Sequence, residues 1–316
     1  MKILVAGGDG FLGSHMVDRL VADGHAVTVL DRFPDNRARH LGHLEGRVRL
    51  VSGDRAARET VAEALKGQDV VYDFVCATNP AVSWNDIPLE IEQNLLPAIQ
   101  FFELAAEAGV RKLVFVSSGG TVYGPAEGAV DETRVPQPVN PYGIVKLACE
   151  HFLRHFRAKR GLAYDVYRVA NAYGPRQSVT SAQGVVAVWM RQILDGEILQ
   201  VRGDEKTVRD YVFVGDIARL MTHSLRDLSS SDTYNLGTGR GTSIVDLLDI
   251  FRRVVEVPFR FERKPRQPSD AVVSTLDSRK LLQHYPGFRF ADLDEKMRET
   301  WQDFRARHRR AEDPKP

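Results

Sequence analysis

The sequence predicts an α/β protein, a doubly wound parallel sheet followed by a smaller, discontinuous C-terminal lobe. Three observations carry this. Short β-branched runs alternate with amphipathic segments through the first half. A glycine-rich turn joins the first run to the first amphipathic segment, and after Asn171 the alternation gives way to a loop rich in Gly, Pro, Ser and Thr at 173–184.

Taken in order, residues 2–6, 26–30, 48–52, 69–75, 112–117 and 164–171 read as strands. Between them, 11–22, 55–66, 89–108 and 141–159 carry apolar residues at three- and four-residue spacing, as helices packed on a sheet require. Beyond the loop come a helix near 185–194 and a short segment at 198–202. Residues 233–236 read as a strand that returns to the first sheet, and 244–255 as a helix of the smaller lobe. Leu293, Met297, Trp301 and Phe304 mark a last amphipathic helix. The expected division is therefore 1–171 with about 211–241, then about 172–210 with 242–308, and a tail at 309–316.

Composition bounds the function. At 316 residues, two domains of about 150 are expected. Forty-three Lys and Arg face 42 Asp and Glu, so no net field favours nucleic acid or an anionic membrane as partner. No run approaches the roughly 18 apolar residues of a membrane span. Two cysteines, Cys76 and Cys149, build no disulfide framework and suit a reducing, cytoplasmic setting. Burial accounts for both thiols without redox chemistry. His151 and His155 stand beside Glu150 but lack a third ligand at a recognisable spacing, so no metal is expected. The basic cluster Arg305, Arg307, Arg309 and Arg310 reads as a solvated helix end.

The chemistry starts in the turn. Gly7, Gly10 and Gly13 directly follow the first strand and open the first helix, the geometry of a pyrophosphate cradle. Asp31 ends the second strand, 18 residues past Gly13, where a carboxylate accepts hydrogen bonds from ribose hydroxyls and repels a 2′-phosphate. NAD is thus expected over NADP, although Arg32, Arg37 and Arg39 follow closely. Tyr142 and Lys146, four apart on a helix, project from one face. A phenol is a poor base at neutral pH, and a neighbouring ammonium favours its phenolate. Ser117, Ser118 and Thr121 lie where hydroxyls emerge at the carboxyl edge of the sheet.

With these motifs in place, the chain resembles extended short-chain dehydrogenases/reductases with a Rossmann-type sheet, in the nucleotide-sugar epimerase/dehydratase branch typified by UDP-glucose 4-epimerase. The likeness runs in order through Gly53-Asp54, Pro88 to Asn94, Asn140-Pro141-Tyr142-Gly143, Arg168 to Pro175, Arg209 to Asp216, Asn235 to Gly239 and Arg266 to Asp270. It implies that Tyr142 exchanges a proton with a sugar hydroxyl while Lys146 holds the nicotinamide ribose. It further implies a cofactor site including Phe11, Leu12, Asp54, Arg55, Val75, Ala77, Asn94 and Ser117. Asn171, Arg209 and Arg266 match positions that hold a sugar nucleotide's diphosphate, and Asp270 one that meets its ribose. The helices at 89–108 and 141–159 correspond to those through which relatives form homodimers.

Departures from the family pattern sharpen the expectation. Gly119 stands where the family usually carries its catalytic Ser or Thr, so Thr121, or else Ser118, must supply that hydroxyl, or Tyr142 acts directly. The acids that dehydratases and decarboxylases place at this turn are replaced by Gly120 and Thr121, which disfavours both activities. Ala170 and Asn79 loosen the expected sugar pocket, and the small Ser274 suits an N-acetylhexosamine as well as a hexose. The resulting expectation is an NAD-dependent 4-epimerase acting on a nucleotide sugar of the UDP-glucose/galactose or UDP-N-acetylhexosamine type. A nucleotide 4-ketosugar reductase and a non-catalytic dinucleotide-binding protein are the alternatives.

Overall fold

The computed structural model describes residues 1–34, 37–178, 184–265 and 271–312. Their packing separates two units. The first comprises Met1–Gly124, Glu132–Val169 and Ala218–Asn235; the second takes Pro125–Asp131, Ala170–Ile217 and the chain from Leu236 onward.

The first unit is built on strands β1 (Lys2–Ala6), β2 (Ala26–Asp31), β3 (Arg49–Ser52), β4 (Val70–Asp73), β5 (Lys112–Ser118), β7 (Ala163–Val169) and β11 (Asp232–Leu236). They form one seven-stranded sheet in the order β11-β7-β5-β4-β1-β2-β3. β1 pairs in parallel with both β2 and β4, so the strand order reverses on either side of it. That reversal opens a crevice at the carboxyl ends of the strands, where doubly wound sheets take their ligands. The interiors of β1 and β4 are apolar because helices cover both faces; Ile3, Leu4, Val5, Val70 and Val71 are fully buried.

The covering helices are α1 (Phe11–Ala22), α2 (Arg58–Leu65), α3 (Pro80–Asn85), α4 (Ile87–Glu90), α5 (Leu96–Glu107), the single turn α6 (Gly119–Val122) and α7 (Pro141–Arg160). The expected single helix over 89–108 is interrupted by a π segment at Ile91–Leu95. Pro97, just beyond, has no N–H to continue an α ladder. α7 matches the sequence pattern closely. The Asn140 side chain caps its first turn through the Gly143 N–H at 2.7 Å, Pro141 takes the first position, and Gly161 ends it in the left-handed region at φ +75°.

The second unit contains β6 (Ala129–Val130), β8 (Asn171–Tyr173), β10 (Val208–Phe213), β12 (Gly241–Ser243) and β14 (Val273–Leu276), paired in the order β12-β10-β14-β6 with β8 joined to β10. The expected division returns to the first unit at about 211; instead all of β10 joins this sheet, because its partners β8, β12 and β14 belong here, and the first unit resumes at Ala218. β9 (Leu199–Arg202) pairs in parallel with β13 (Phe261–Lys264). Helices α8 (Val185–Leu194), α10 (Ile244–Val254) and α12 (Leu293–Glu312) share a core of Trp189, Met190, Leu247, Phe251, Trp301 and Phe304. α9 (Val214–Met221) and α11 (Arg279–Leu282) complete the set of α-helices among the described residues.

The tail expected from 309 continues α12 as far as Glu312. Within the basic cluster of α12, Arg305 pairs with Glu256 and Arg307 with Asp303. Among the described residues no helix is long and apolar enough to cross a membrane, and no acid, His or Cys group is placed to hold a metal.

Candidate active site

β1 delivers its last residue to a turn held by the Gly7 N–H, which donates to the Leu30 carbonyl at 2.8 Å. Gly7 adopts φ +73°, a conformation that side chains disfavour. A Cβ on Gly13 would stand 2.1 Å from the Gly7 carbonyl oxygen, so only glycine lets α1 seat against the turn. Gly10 caps α1 without a side-chain hydrogen bond, leaving the first N–H groups for an anion. Phe11 and Leu12, half-buried, open the helix.

Asp31 ends β2 beside the turn. Its Oδ2 accepts the Asp9 N–H at 2.9 Å and its Oδ1 the Arg32 N–H at 2.8 Å, and each oxygen keeps a lone pair for a hydroxyl. Exposed Asp54 caps its own loop by accepting the Ala56 N–H at 2.9 Å. This cradle fits a dinucleotide: glycines where backbone must approach pyrophosphate, a carboxylate where a free ribose is required.

Two expected cofactor residues are turned inward. Arg55 donates to Asp73 at 2.8 Å and to the Asn94 carbonyl at 3.0 Å, both partners buried. Two of its guanidinium nitrogens hold β4 and the π segment, while its buried Nε has no hydrogen-bond partner. Ser117 gives its hydroxyl to Glu150 at 2.6 Å and offers no side chain to a ligand. Asn94 does organise the site wall: its Oδ1 accepts the Ala77 N–H at 2.8 Å, and its amide donates to Thr78 at 2.8 Å and to Glu90 at 3.1 Å. Thr78 also hydrogen-bonds Glu90. The loop carrying Val75 and Ala77 is thereby fixed beyond β4.

α7 presents Tyr142, Lys146 and Glu150 on one buried face. Lys146 Nζ donates to the Val116 carbonyl at 2.9 Å and lies 5.6 Å from the Tyr142 ring centroid. Burial pushes the Tyr142 phenol well above its ordinary range, and the nearby Cys76 thiol and the Glu90 carboxylate raise it further. Cys76 is exposed and lies past the end of β4, a correction to the expectation that burial explains both cysteines. Cys149, on α7, is buried as expected, and its thiol is pushed up to about 12 by desolvation.

Thr121 sits in α6, whose carbonyl would lie 2.7 Å from a Cβ on Gly143; the missing side chain lets α7 close on this turn. The Thr121 hydroxyl is buried and has no hydrogen-bond partner. A buried hydroxyl left unpaired costs about 1–3 kcal/mol. Ser118, half-buried, ends β5 one residue before Gly119.

In the second unit, Arg209 of β10 lies opposite Ser274 of β14, and Asn171 of β8 lies opposite Tyr211. Paired residues share a sheet face, and Arg209 and Tyr211 are two apart, so all four occupy one face. Arg209 donates to the Val208 carbonyl at 2.9 Å and the Val272 carbonyl at 3.1 Å, and Asn171 to the Asp210 carbonyl at 3.1 Å. Asp210 accepts from Thr238, Gly239 and Leu276, binding this sheet to the turn after β11. Arg266 and Asp270 lie outside the described residues.

Sequence reasoning passed over Asp9 and the Cys76–Tyr142 contact. An acid inside a glycine turn was the available signal for the first; the second depends on how the loop after β4 folds back, which no local pattern encodes.

The model of the NAD dependent epimerase/dehydratase family matches residues 3–237. A UDP-glucose 4-epimerase of Mycolicibacterium smegmatis is 33% identical over 282 residues, 88% of this chain and 90% of that protein. The crystal structure of Thermus thermophilus UDP-glucose 4-epimerase in complex with NAD superposes with a TM-score of 0.88 at 34% identity, covering 96% of this chain and 99% of the other. UDP-N-acetylglucosamine 4-epimerase from Methanobrevibacter ruminantium, in complex with UDP-N-acetylmuramic acid, gives 0.86 at 26% identity over 97% and 98%.

Proposed function

The chain belongs to the NAD dependent epimerase/dehydratase family, and from that premise we propose that it inverts C4 of a UDP-sugar through a 4-keto form, with Tyr142 as the acid/base. The observation that carries the chemistry is the pairing of Tyr142 with Lys146 on the buried face of α7, against which α6 packs with the unpartnered Thr121 hydroxyl. Gly120 and Thr121, in place of the acids that dehydration and decarboxylation require, leave 4-epimerisation or 4-keto reduction as the chemistry of the site.

NAD, when bound, supplies a reversible hydride acceptor and a positive ring. Gly7, Gly10 and Gly13 would hold its pyrophosphate and Asp31 its adenosine ribose. Tyr142 takes the proton of the C4 hydroxyl as that carbon is oxidised and returns it after the sugar has turned. Because burial favours the neutral phenol, this role requires nearby positive charge, and the Lys146 side chain, 5.6 Å from the Tyr142 ring centroid, is placed to supply it. Thr121, or Ser118 behind it, passes the proton between sugar and phenol. Asn171 and Arg209, with Arg266, would hold the diphosphate, a guanidinium fork matching phosphate oxygens, and Asp270 the nucleoside ribose. Ser274, small and opposite Arg209, leaves room for an N-acetyl group as well as a hydroxyl at C2.

Two further assignments follow. A homodimer through α5 and α7 is supported by the exposed apolar side chains Ile87, Ile91, Leu96 and Ile144 on and beside those helices. Two unpaired thiols, Cys76 and Cys149, agree with a cytoplasmic protein.

The test is direct. Purified protein should retain NAD and interconvert UDP-glucose and UDP-galactose, or the corresponding N-acetylhexosamines, without added cofactor. Tyr142→Phe should lower kcat at least about a hundredfold while keeping bound NAD. Net consumption of NADH with a 4-keto sugar, or full activity of the Phe variant, would overturn the reading.

A further inference from the structure

Asp9 places a carboxylate inside the glycine turn, where the pyrophosphate's own negative charge would be received, and it is only 6% exposed. The charge is covered from one direction. Its Oδ2 accepts the Arg39 N–H at 2.7 Å and its Oδ1 the His40 N–H at 2.9 Å, while its own N–H donates to Asp31 at 2.9 Å. One residue therefore ties together the turn, the end of β2 and the segment after it.

We propose that Asp9 is a positioning residue for the cofactor's adenosine half, a latch that docks the main chain of Arg39 and His40 against the turn and slows the departure of NAD between turnovers. The inference rests on NAD occupying this turn. Its logic is electrostatic. With the two N–H groups in place, the carboxylate is satisfied and the helix N-terminus dominates the field at the cradle. If the segment lifts, the same carboxylate is uncovered and repels a phosphate. Segment docking and cofactor binding thus favour one another, although the segment need not touch the pyrophosphate.

The latch acts locally. Leu41 and Leu44 are buried and anchor the chain farther on, and His43 contacts Asp18 at 2.7 Å. Loss of the carboxylate should free residues 37–40 and leave the remainder seated. Asp9→Asn tests this in the holoenzyme, since it keeps shape and one acceptor while removing the charge; Asp9→Ala removes both acceptors.

Three readouts are needed: the rate at which bound NAD is released, amide hydrogen exchange of the 37–41 segment, and KM for NAD against kcat. The expected result is NAD release faster by about tenfold, with KM raised to match and kcat changed less than about twofold. The Arg39 and His40 amides should exchange faster, with α1 unchanged. A purely structural role would instead lower kcat and thermal stability together. Unchanged NAD release overturns the proposal, as do unchanged amides in both variants. A wild-type protein that binds neither NAD nor ADP-ribose would overturn the underlying site assignment, and is told apart because it needs no variant to appear.

Discussion

Replacing Glu150 with Gln isolates the buried network behind the catalytic helix. Glu150 is 1% exposed and accepts from Ser117 at 2.6 Å and from Arg168 twice, at Nε 3.1 Å and Nη2 2.6 Å; Arg168 is itself 3% exposed. The remaining guanidinium nitrogen donates to Tyr123 at 2.9 Å, and Tyr123 to Asn235 at 2.7 Å, so the network fastens α7 to β5, β7 and β11. An amide keeps the shape but leaves a guanidinium charge uncompensated in the interior, a loss of about 3–5 kcal/mol. At about 2–4 °C per kcal/mol for a unit of this size, Tm should fall by roughly 10 °C. The assay is thermal unfolding of Glu150→Gln, Arg168→Met and the double variant. Because the cost comes from the orphaned charge, the double variant should be less destabilised than Glu150→Gln alone. Strict additivity, or a single-variant loss below about 1 kcal/mol, would refute the assignment of the pair as a buried charge couple.

Thr121→Val should leave Tm unchanged or slightly raised, since it removes an unpartnered buried hydroxyl, yet lower kcat by about tenfold or more. A stable and fully active variant would remove Thr121 from the proton path. Iodoacetamide at pH 8 should label exposed Cys76 in the folded protein and spare Cys149, whose thiol is pushed up to about 12 and so holds almost no thiolate there. Peptide mapping by mass spectrometry reads both sites; Cys149 should become reactive only on unfolding.

The parts of the fold that local periodicity encodes were legible. α1 occupies the 11–22 predicted from apolar spacing, and α8 the 185–194. Where the chain is punctuated by backbone chemistry, periodicity misleads. The apolar pattern over 89–108 continues through the π segment, and only Pro97 signals the break. β12 and β14 are short and rich in small or hydroxyl side chains, and β10 mixes charged with apolar residues, so their partners are set by distant register rather than by any run of their own. At the site, Gly7, Gly13, Asp31, Tyr142 and Lys146 were readable because each spacing states a chemical need. Arg55 and Ser117 were not, because a motif fixes where a residue sits and not which neighbour captures its side chain; here Asp73 and Glu150 do so.

The returning strand has a consequence for how the chain is made. β7 is buried along all seven residues, and its far edge is covered by β11, which begins at Asp232, about 60 residues after β7 ends. At about 5–20 residues per second, a nascent chain carries that buried strand with an unpaired row of N–H and C=O groups for roughly 3–12 s before its partner is synthesised. An open hydrophobic edge is a template for pairing with another chain. Synthesis speed through residues 170–231, the stretch between β7 and its partner strand, therefore bears on the yield of folded protein.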